Sequence, residues 1–167
     1  MKKRRHYIRL RILHIEDEAA IGSLVEKFMA FSYFDVELVR VSTLQEGLQR
    51  LREDRWDLIL LDLSLPDSEP ANTFPALYKA HPYTPVIVLT AEVDLEIRAR
   101  TIAQGAQDCL YKMELKSPDT LARSIRFAVE RHRLLLELRE IIRELEEFKR
   151  QFLELTPDFS IKAPRKH

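Results

Sequence analysis

Glu16, Asp17, Asp62, Thr90 and Lys112 are the side chains whose types and placement could do chemistry together. Each stands at or just beyond the end of a short apolar run: Glu16 and Asp17 after 10–15, Asp62 after 58–61, Thr90 after 85–89 and Lys112 after 108–111. Three carboxylates within a few ångströms raise one another's pKa unless a cation offsets them. A small hard ion does so, and one or two carboxylates with water and phosphate oxygens is the usual Mg²⁺ arrangement. A carboxylate whose charge is offset can attack phosphorus and form an acyl phosphate. Lys112 as a point charge and Thr90 as a hydroxyl donor would then steady the transferring group, and the small Ala91 leaves room for an incoming donor. Any one acidic residue after a strand is commonly just a helix cap. Complementary chemistry at four strand ends together points to a site.

Such convergence needs elements that place those ends on one edge. The apolar runs 10–15, 36–41, 58–61, 85–89 and 108–111 read as strands, and the stretches between them carry helical spacing. From Ala19 to Phe31 the apolar positions are Ile21, Leu24, Val25 and Phe28. Thr43 with Glu46 forms a capping box opening a helix that contains Leu44, Leu48 and Leu51. A loop with Pro66 and Pro70 leads to a short helix expected to start near Pro75, and 93–104 is expected to be helical, with Gly105 at its stop. Strict strand–helix alternation predicts an α/β fold, a five-stranded doubly wound parallel sheet covered by helices on both faces. The alternation alone does not set the strand order, for which a right-handed, flavodoxin-like 2-1-3-4-5 is the arrangement expected of five strands. Ligands of such sheets sit beyond the carboxyl ends of the strands, which is where the five residues fall.

The chain has 167 residues, 46% apolar and 32% charged, with 27 basic and 27 acidic side chains. A formal net charge of zero argues against a surface built wholly for nucleic acid. The single Cys109 excludes an internal disulfide and a cysteine-based metal centre. Three glycines leave no room for a glycine-rich nucleotide loop. The run 58–61 is far too short for a membrane span, and Arg9, Arg11, Glu16 and Asp17 interrupt any apolar core of a signal peptide after the basic opening 1–5. The expectation is a reduced, cytoplasmic protein with no membrane contact.

The segments Ile15-Glu16-Asp17-Glu18, Leu60-Leu61-Asp62-Leu63-Ser64-Leu65-Pro66, Val88-Leu89-Thr90-Ala91 and Gly105-Ala106-Gln107-Asp108-Cys109-Leu110-Tyr111-Lys112, in that order, resemble a response-regulator receiver domain of two-component signalling. The resemblance covers about residues 9–130. It implies that Asp62 is the phospho-acceptor, taking its group from a phosphohistidine of a sensor histidine kinase or phosphotransfer protein. It implies Mg²⁺ held by Glu16, Asp17, Asp62 and the main-chain carbonyl of Ser64, with Lys112, Thr90 and Ala91 around the phosphoryl group. Three positions depart from the family pattern. Cys109 stands where an aromatic residue commonly switches with the threonine, and Tyr111, two residues on and on the same strand face, is the candidate to replace it. Met113 follows the lysine in place of proline. Pro70 replaces a glycine, and with Pro75 it is expected to stiffen and shorten the third helix.

Nothing breaks the last helix from Asp119 to about Leu155, roughly 55 Å at 1.5 Å per residue. Its first part, with Leu121, Ile125, Ala128 and Val129, is expected to cover the sheet. Beyond it, Leu134, Leu138, Ile141, Leu145, Phe148, Phe152 and Leu155 recur at spacings of four and three, a coiled-coil seam. In that frame Glu144 and Lys149 attract across a parallel pair, while Leu135 and Ile142 add a second stripe. The domains expected are a basic tail at 1–8, a receiver at 9–130, a helical extension for coiled-coil dimerisation at 131–155 and a flexible tail at 156–167. His132 reads as an ordinary helix histidine, since no kinase motif accompanies it, and His14 reads as core. The basic opening has no aromatic platform or recognition helix beside it, which weighs against nucleic acid.

The resulting expectation is a receiver that signals by protein–protein contact with an unidentified downstream protein, with no DNA-binding output domain and no catalysis beyond its own phosphorylation and dephosphorylation. The alternative is a phosphorylation-independent dimeric adaptor. A small aspartyl-phosphate phosphatase fits less well, because Ser64 stands where a second carboxylate would act as acid and base.

Overall fold

The computed structural model describes residues 9–155. In chain order it contains β1 (Arg9–Ile15), α1 (Ala19–Ala30), β2 (Asp35–Val41), α2 (Leu44–Glu53), β3 (Leu58–Asp62), α3 (Pro70–Ala80), β4 (Val86–Thr90), α4 (Leu95–Ala103), β5 (Asp108–Tyr111), a single 3₁₀ turn at Lys112–Glu114, and α5 (Pro118–Leu155). The strands are all parallel, as the alternation of elements predicts, and lie in the order β2-β1-β3-β4-β5, the doubly wound order expected for five strands.

Strand periodicity divides the core into two layers. Leu13, Ile15, Ile59, Leu61, Val88 and Cys109 face one side, where Leu44 and Leu51 of α2 and Phe74 and Leu77 of α3 cover them. Leu10, Ile12, Leu58, Leu60, Ile87 and Leu89 face the other, against Val25, Phe28 and Met29 of α1 and Leu121, Ile125 and Ala128 of α5. Because β3 and β4 lie inside the sheet and are buried on both faces, their sequences are continuously apolar rather than alternating.

Helix ends follow local chemistry. Thr43 Oγ1 accepts from the Glu46 N–H at 3.1 Å, and the Glu46 carboxylate reaches back to the Ser42 N–H at 2.9 Å. The end of α4 is a Schellman turn: the Gly105 N–H bonds the Ile102 carbonyl at 3.0 Å and the Ala106 N–H bonds the Thr101 carbonyl at 3.2 Å. Gly105 has φ +117°, a conformation open to glycine.

The third helix corrects the expectation. It begins at Pro70, not near Pro75, and its 11 residues are not shortened. Pro70 occupies the first helical position, where a missing N–H costs nothing. Thr73 holds the opening turn, its hydroxyl bonding the Glu69 carbonyl at 3.0 Å and the Leu63 carbonyl at 2.8 Å. Pro75 therefore sits inside the helix, and the burial of Phe74 and Leu77 on either side offsets the one backbone bond it forfeits. The fourth helix is also shorter than the periodicity suggests, because Asp94 caps it through a 2.7 Å bond from the Glu96 N–H.

The chain divides at Glu130 and Arg131 into two units. In the second unit every described residue from Arg133 to Glu154 is exposed, including the seam residues Leu134, Leu138, Ile141, Leu145, Phe148 and Phe152. The Leu155 side chain and the expected tails at 1–8 and 156–167 lie outside the described residues. No described helix is long and apolar enough to cross a membrane.

Candidate functional site

Asp62, the last residue of β3, is 1% exposed. The backbone turns sharply after it, so the Ser64 N–H returns to Asp62 Oδ1 at 3.1 Å. Its other oxygen, Oδ2, accepts from Lys112 Nζ at 2.8 Å. Glu16 leaves β1 with its N–H bonded to the Val41 carbonyl of β2 at 2.9 Å, and its side chain is fully buried. Glu16 Oε1 accepts from the Glu18 N–H at 3.0 Å and from Lys112 Nζ at 3.1 Å. Glu16 Oε2 lies 3.0 Å from the same ammonium without a hydrogen bond of its own. Asp17 is exposed beside it, and Glu16, Asp17 and Asp62 each offer an oxygen within 4.8 Å of the others.

The electrostatics follow from burial and crowding. Burial, followed by the Asp62 charge, raises the Glu16 carboxyl from 4.5 to about 7 against the pull of Lys112. Burial works against the Lys112 charge, but hydrogen bonds to Asp62 and Glu18 overcome it and raise that pKa. Lys112 thus stays an ammonium among three carboxylates, of which Glu18 is the nearest at 2.7 Å. The buried Glu16 carboxylate keeps one oxygen without a hydrogen bond, and Glu16, Asp17 and Asp62 each offer a hard oxygen donor to one cluster, a donor set that suits a small divalent cation.

Thr90 ends β4, 1% exposed, with its Oγ1 accepting from the Glu92 N–H at 3.2 Å. Ala91 and Ser64 are exposed on the loops after their strands. Cys109 is fully buried in the core layer, and burial pushes its thiol up to about 11. Tyr111 pairs with Thr90 across β4 and β5, so the two side chains share a face. The Arg98 guanidinium of α4 lies 5.4 Å from the Tyr111 ring centre, and the buried hydroxyl has no hydrogen-bond partner among the described residues. His14 lies within β1 with both ring nitrogens equally unpartnered and Nε2 4.0 Å from Glu16 Oε2. Burial holds it neutral, with a pKa lowered to about 3.

The fold brings Glu16, Asp17, Asp62 and Lys112 together, with Thr90 ending the neighbouring strand. Two long-range contacts, one within the site and one on the loop that follows Asp62, escape sequence reasoning. Glu18 stands in the acidic run but looks like a helix cap, and its contact with Lys112 spans 94 residues. Asp67 sits in a loop after Pro66 and reads as a turn residue, yet both its oxygens accept from the start of α2, from the Leu44 and Gln45 N–H groups at 2.9 Å each.

Comparison with known proteins agrees with this geometry. Residues 12–126, more than half of the chain, match the model of the response regulator receiver domain. The Luminescence regulatory protein LuxO of Vibrio campbellii is 32% identical over 98 residues, 59% of this chain and 21% of that protein. The uncharacterized transcriptional regulatory protein YclJ of Bacillus subtilis is 32% identical over 124 residues, 74% of this chain and 52% of that protein. The chain thus spans about half or less of these relatives. The crystal structure of a response regulator receiver domain protein from Clostridium thermocellum superposes with a TM-score of 0.66 at 26% identity, covering 75% of this chain and 98% of that one.

Proposed function

This chain belongs to the response regulator receiver family, and from that premise we propose that Asp62 accepts a phosphoryl group from the phosphohistidine of a sensor kinase or phosphotransfer protein in the cytoplasm. The observation that carries this reading is Asp62 itself, nearly fully buried, 2.8 Å from Lys112 Nζ and within 4.8 Å of the Glu16 and Asp17 donor atoms. An Asp62 carboxylate oxygen attacks phosphorus, the N–P bond breaks, and the departing imidazole keeps the electron pair. The product is an acyl phosphate; water attacking the same phosphorus breaks its bond to the Asp62 oxygen, releasing inorganic phosphate and regenerating the carboxylate. Lys112, anchored by Glu16 and Glu18, supplies a fixed positive charge to the transferred oxygens, and Thr90 supplies a hydroxyl from the neighbouring strand end. Glu16, Asp17, Asp62 and the Ser64 carbonyl would hold Mg²⁺, which when bound offsets the charge on the phosphoryl oxygens. The chain acts on no substrate but itself.

In this reading the signal leaves by protein–protein contact. The exposed apolar seam on α5 is suited to a second copy of the chain, with Glu144 facing Lys149 in a parallel homodimer, or to a downstream protein's helices. A phosphorylation-independent adaptor remains the second reading, favoured by one observation: Cys109, where the family commonly carries its switching aromatic, is inert core.

Native mass spectrometry with Mg²⁺, before and after a small-molecule phosphodonor, tests the proposal on the wild type and Asp62→Asn. One added phosphoryl group, absent in the variant, is expected. A folded wild-type protein that gains none would sink the phosphorylation reading and leave the adaptor.

A further inference from the structure

The loop that follows Asp62 carries Ser64, exposed between the buried Leu63 and Leu65, and passes through Asp67 before α3 begins at Pro70. At its start the loop is tied to the sheet and to α3, because the Ser64 N–H bonds Asp62 and the Leu63 carbonyl accepts from the Thr73 hydroxyl at 2.8 Å. Its far end is tied to a different element. The two oxygens of Asp67 accept from two consecutive N–H groups of the first turn of α2, Leu44 and Gln45, each at 2.9 Å across more than twenty residues of sequence. The Thr43 hydroxyl takes the next donor, the Glu46 N–H, and the Thr43 carbonyl accepts the first intrahelical bond, from Gly47. Asp67 therefore satisfies two of the three free N–H groups at Leu44, Gln45 and Glu46 from outside the helix.

Charge and geometry make this an anchor with a direction. The start of a helix carries a partial positive charge, so an ionised carboxylate there is held electrostatically as well as by hydrogen bonds. A bidentate, charge-assisted contact fixes orientation. The buried Leu63 and Leu65 side chains cannot do this alone, because apolar burial is non-directional. With Pro66 restricting the backbone just before it, Asp67 sets the path of the segment containing Ser64.

We infer that Asp67 is a positioning residue for the cation site: by clamping the phospho-acceptor loop to α2 it holds the Ser64 main chain where it can contribute to binding Mg²⁺. The inference rests on the proposed metal site and adds to it a residue that touches neither metal nor phosphoryl group.

The test titrates Mg²⁺ in competition with Mn²⁺, followed by electron paramagnetic resonance, on the wild-type chain, Asp67→Asn, Asp67→Ala and Thr43→Ala, with thermal unfolding of each in chelator. Thr43→Ala removes another cap from the same helix without touching the loop, so it reports the cost of a weakened α2 alone. Both Asp67 variants are expected to lose Mg²⁺ affinity, by about tenfold for alanine, the low end for groups that support metal ligands, and by less for asparagine, which keeps one acceptor. Thr43→Ala is expected to lower the unfolding temperature with affinity unchanged. Asp67 variants that unfold earlier yet bind Mg²⁺ like the wild type would reduce Asp67 to a helix cap and overturn the inference. If Asp67→Ala does not fold, Asp67→Asn carries the same comparison. A wild type that binds no Mg²⁺ removes the proposed site and this inference together, a result separate from a variant that merely matches the wild type.

Discussion

Lys112 Nζ lies within 3.1 Å of Glu16, Glu18 and Asp62, and among these carboxylates Glu16 decides how the site responds to pH. Its pKa is raised from 4.5 to about 7 by burial and by the Asp62 charge. An acid whose pKa is raised on folding contributes stability that is present below its unfolded pKa. In the metal-free protein this contribution is therefore full below about pH 4.5 and lost as pH rises through about 7. A divalent cation needs the ionised form, so it competes with that proton. Mg²⁺ affinity is expected to rise about tenfold per pH unit below neutrality and to level off above it, with about one proton released per ion. Calorimetric titrations in buffers of different ionisation heat read both quantities, and a pH-independent affinity would refute the assignment to Glu16. The acidic residues and Lys112 are legible in the chain because each follows a recognisable apolar run. Glu18 and Asp67 are not, because their roles exist only through contacts with residues far away in sequence.

At the scale of elements, boundaries follow short-range chemistry where a cap or glycine is present. Thr43 with Glu46 marks the start of α2, and Gly105 marks the end of α4. Gly105 also makes a prediction. Its φ of +117° disfavours any Cβ, and one built there would lie 2.8 Å from the Tyr78 ring. Gly105→Ala is expected to cost about 2 kcal/mol of stability, measured by urea unfolding. A variant as stable as the wild type would mean that the turn can relax without disturbing β5. The start of α3 is harder to read, because Pro70 and Pro75, five positions apart, look like breakers in a one-dimensional pattern. Only the packing of Phe74 and Leu77, with Thr73 bonded to Leu63, shows why the helix runs through Pro75.

For the whole molecule, the unusual feature is the second unit, whose described large apolar side chains from Leu134 to Leu153 are all exposed. The seam recurs with heptad spacing, and burying one leucine of it against another helix contributes about 2 kcal/mol. Under the self-association reading, the wild-type chain sediments as a multiple of its 19.7 kDa mass. The double variant Leu138→Glu, Leu145→Glu is expected to sediment as a monomer while keeping wild-type Mg²⁺ binding. A wild type that is already monomeric at high concentration would turn the seam over to a different partner.

The sequence by itself determined the alternation of elements, the parallel doubly wound sheet, the acids and lysine at the strand ends and the periodic seam. All of these are patterns of near neighbours, because strand and helix periods and strand-end positions are local properties of a chain. The tertiary structure alone decided what those patterns touch. It sets Glu18 on Lys112, Asp67 on the first turn of α2, Arg98 over Tyr111 and the unpartnered His14 4.0 Å from Glu16. Such contacts depend on how layers stack and on what burial leaves no room to solvate, and no spacing along one strand or helix encodes them.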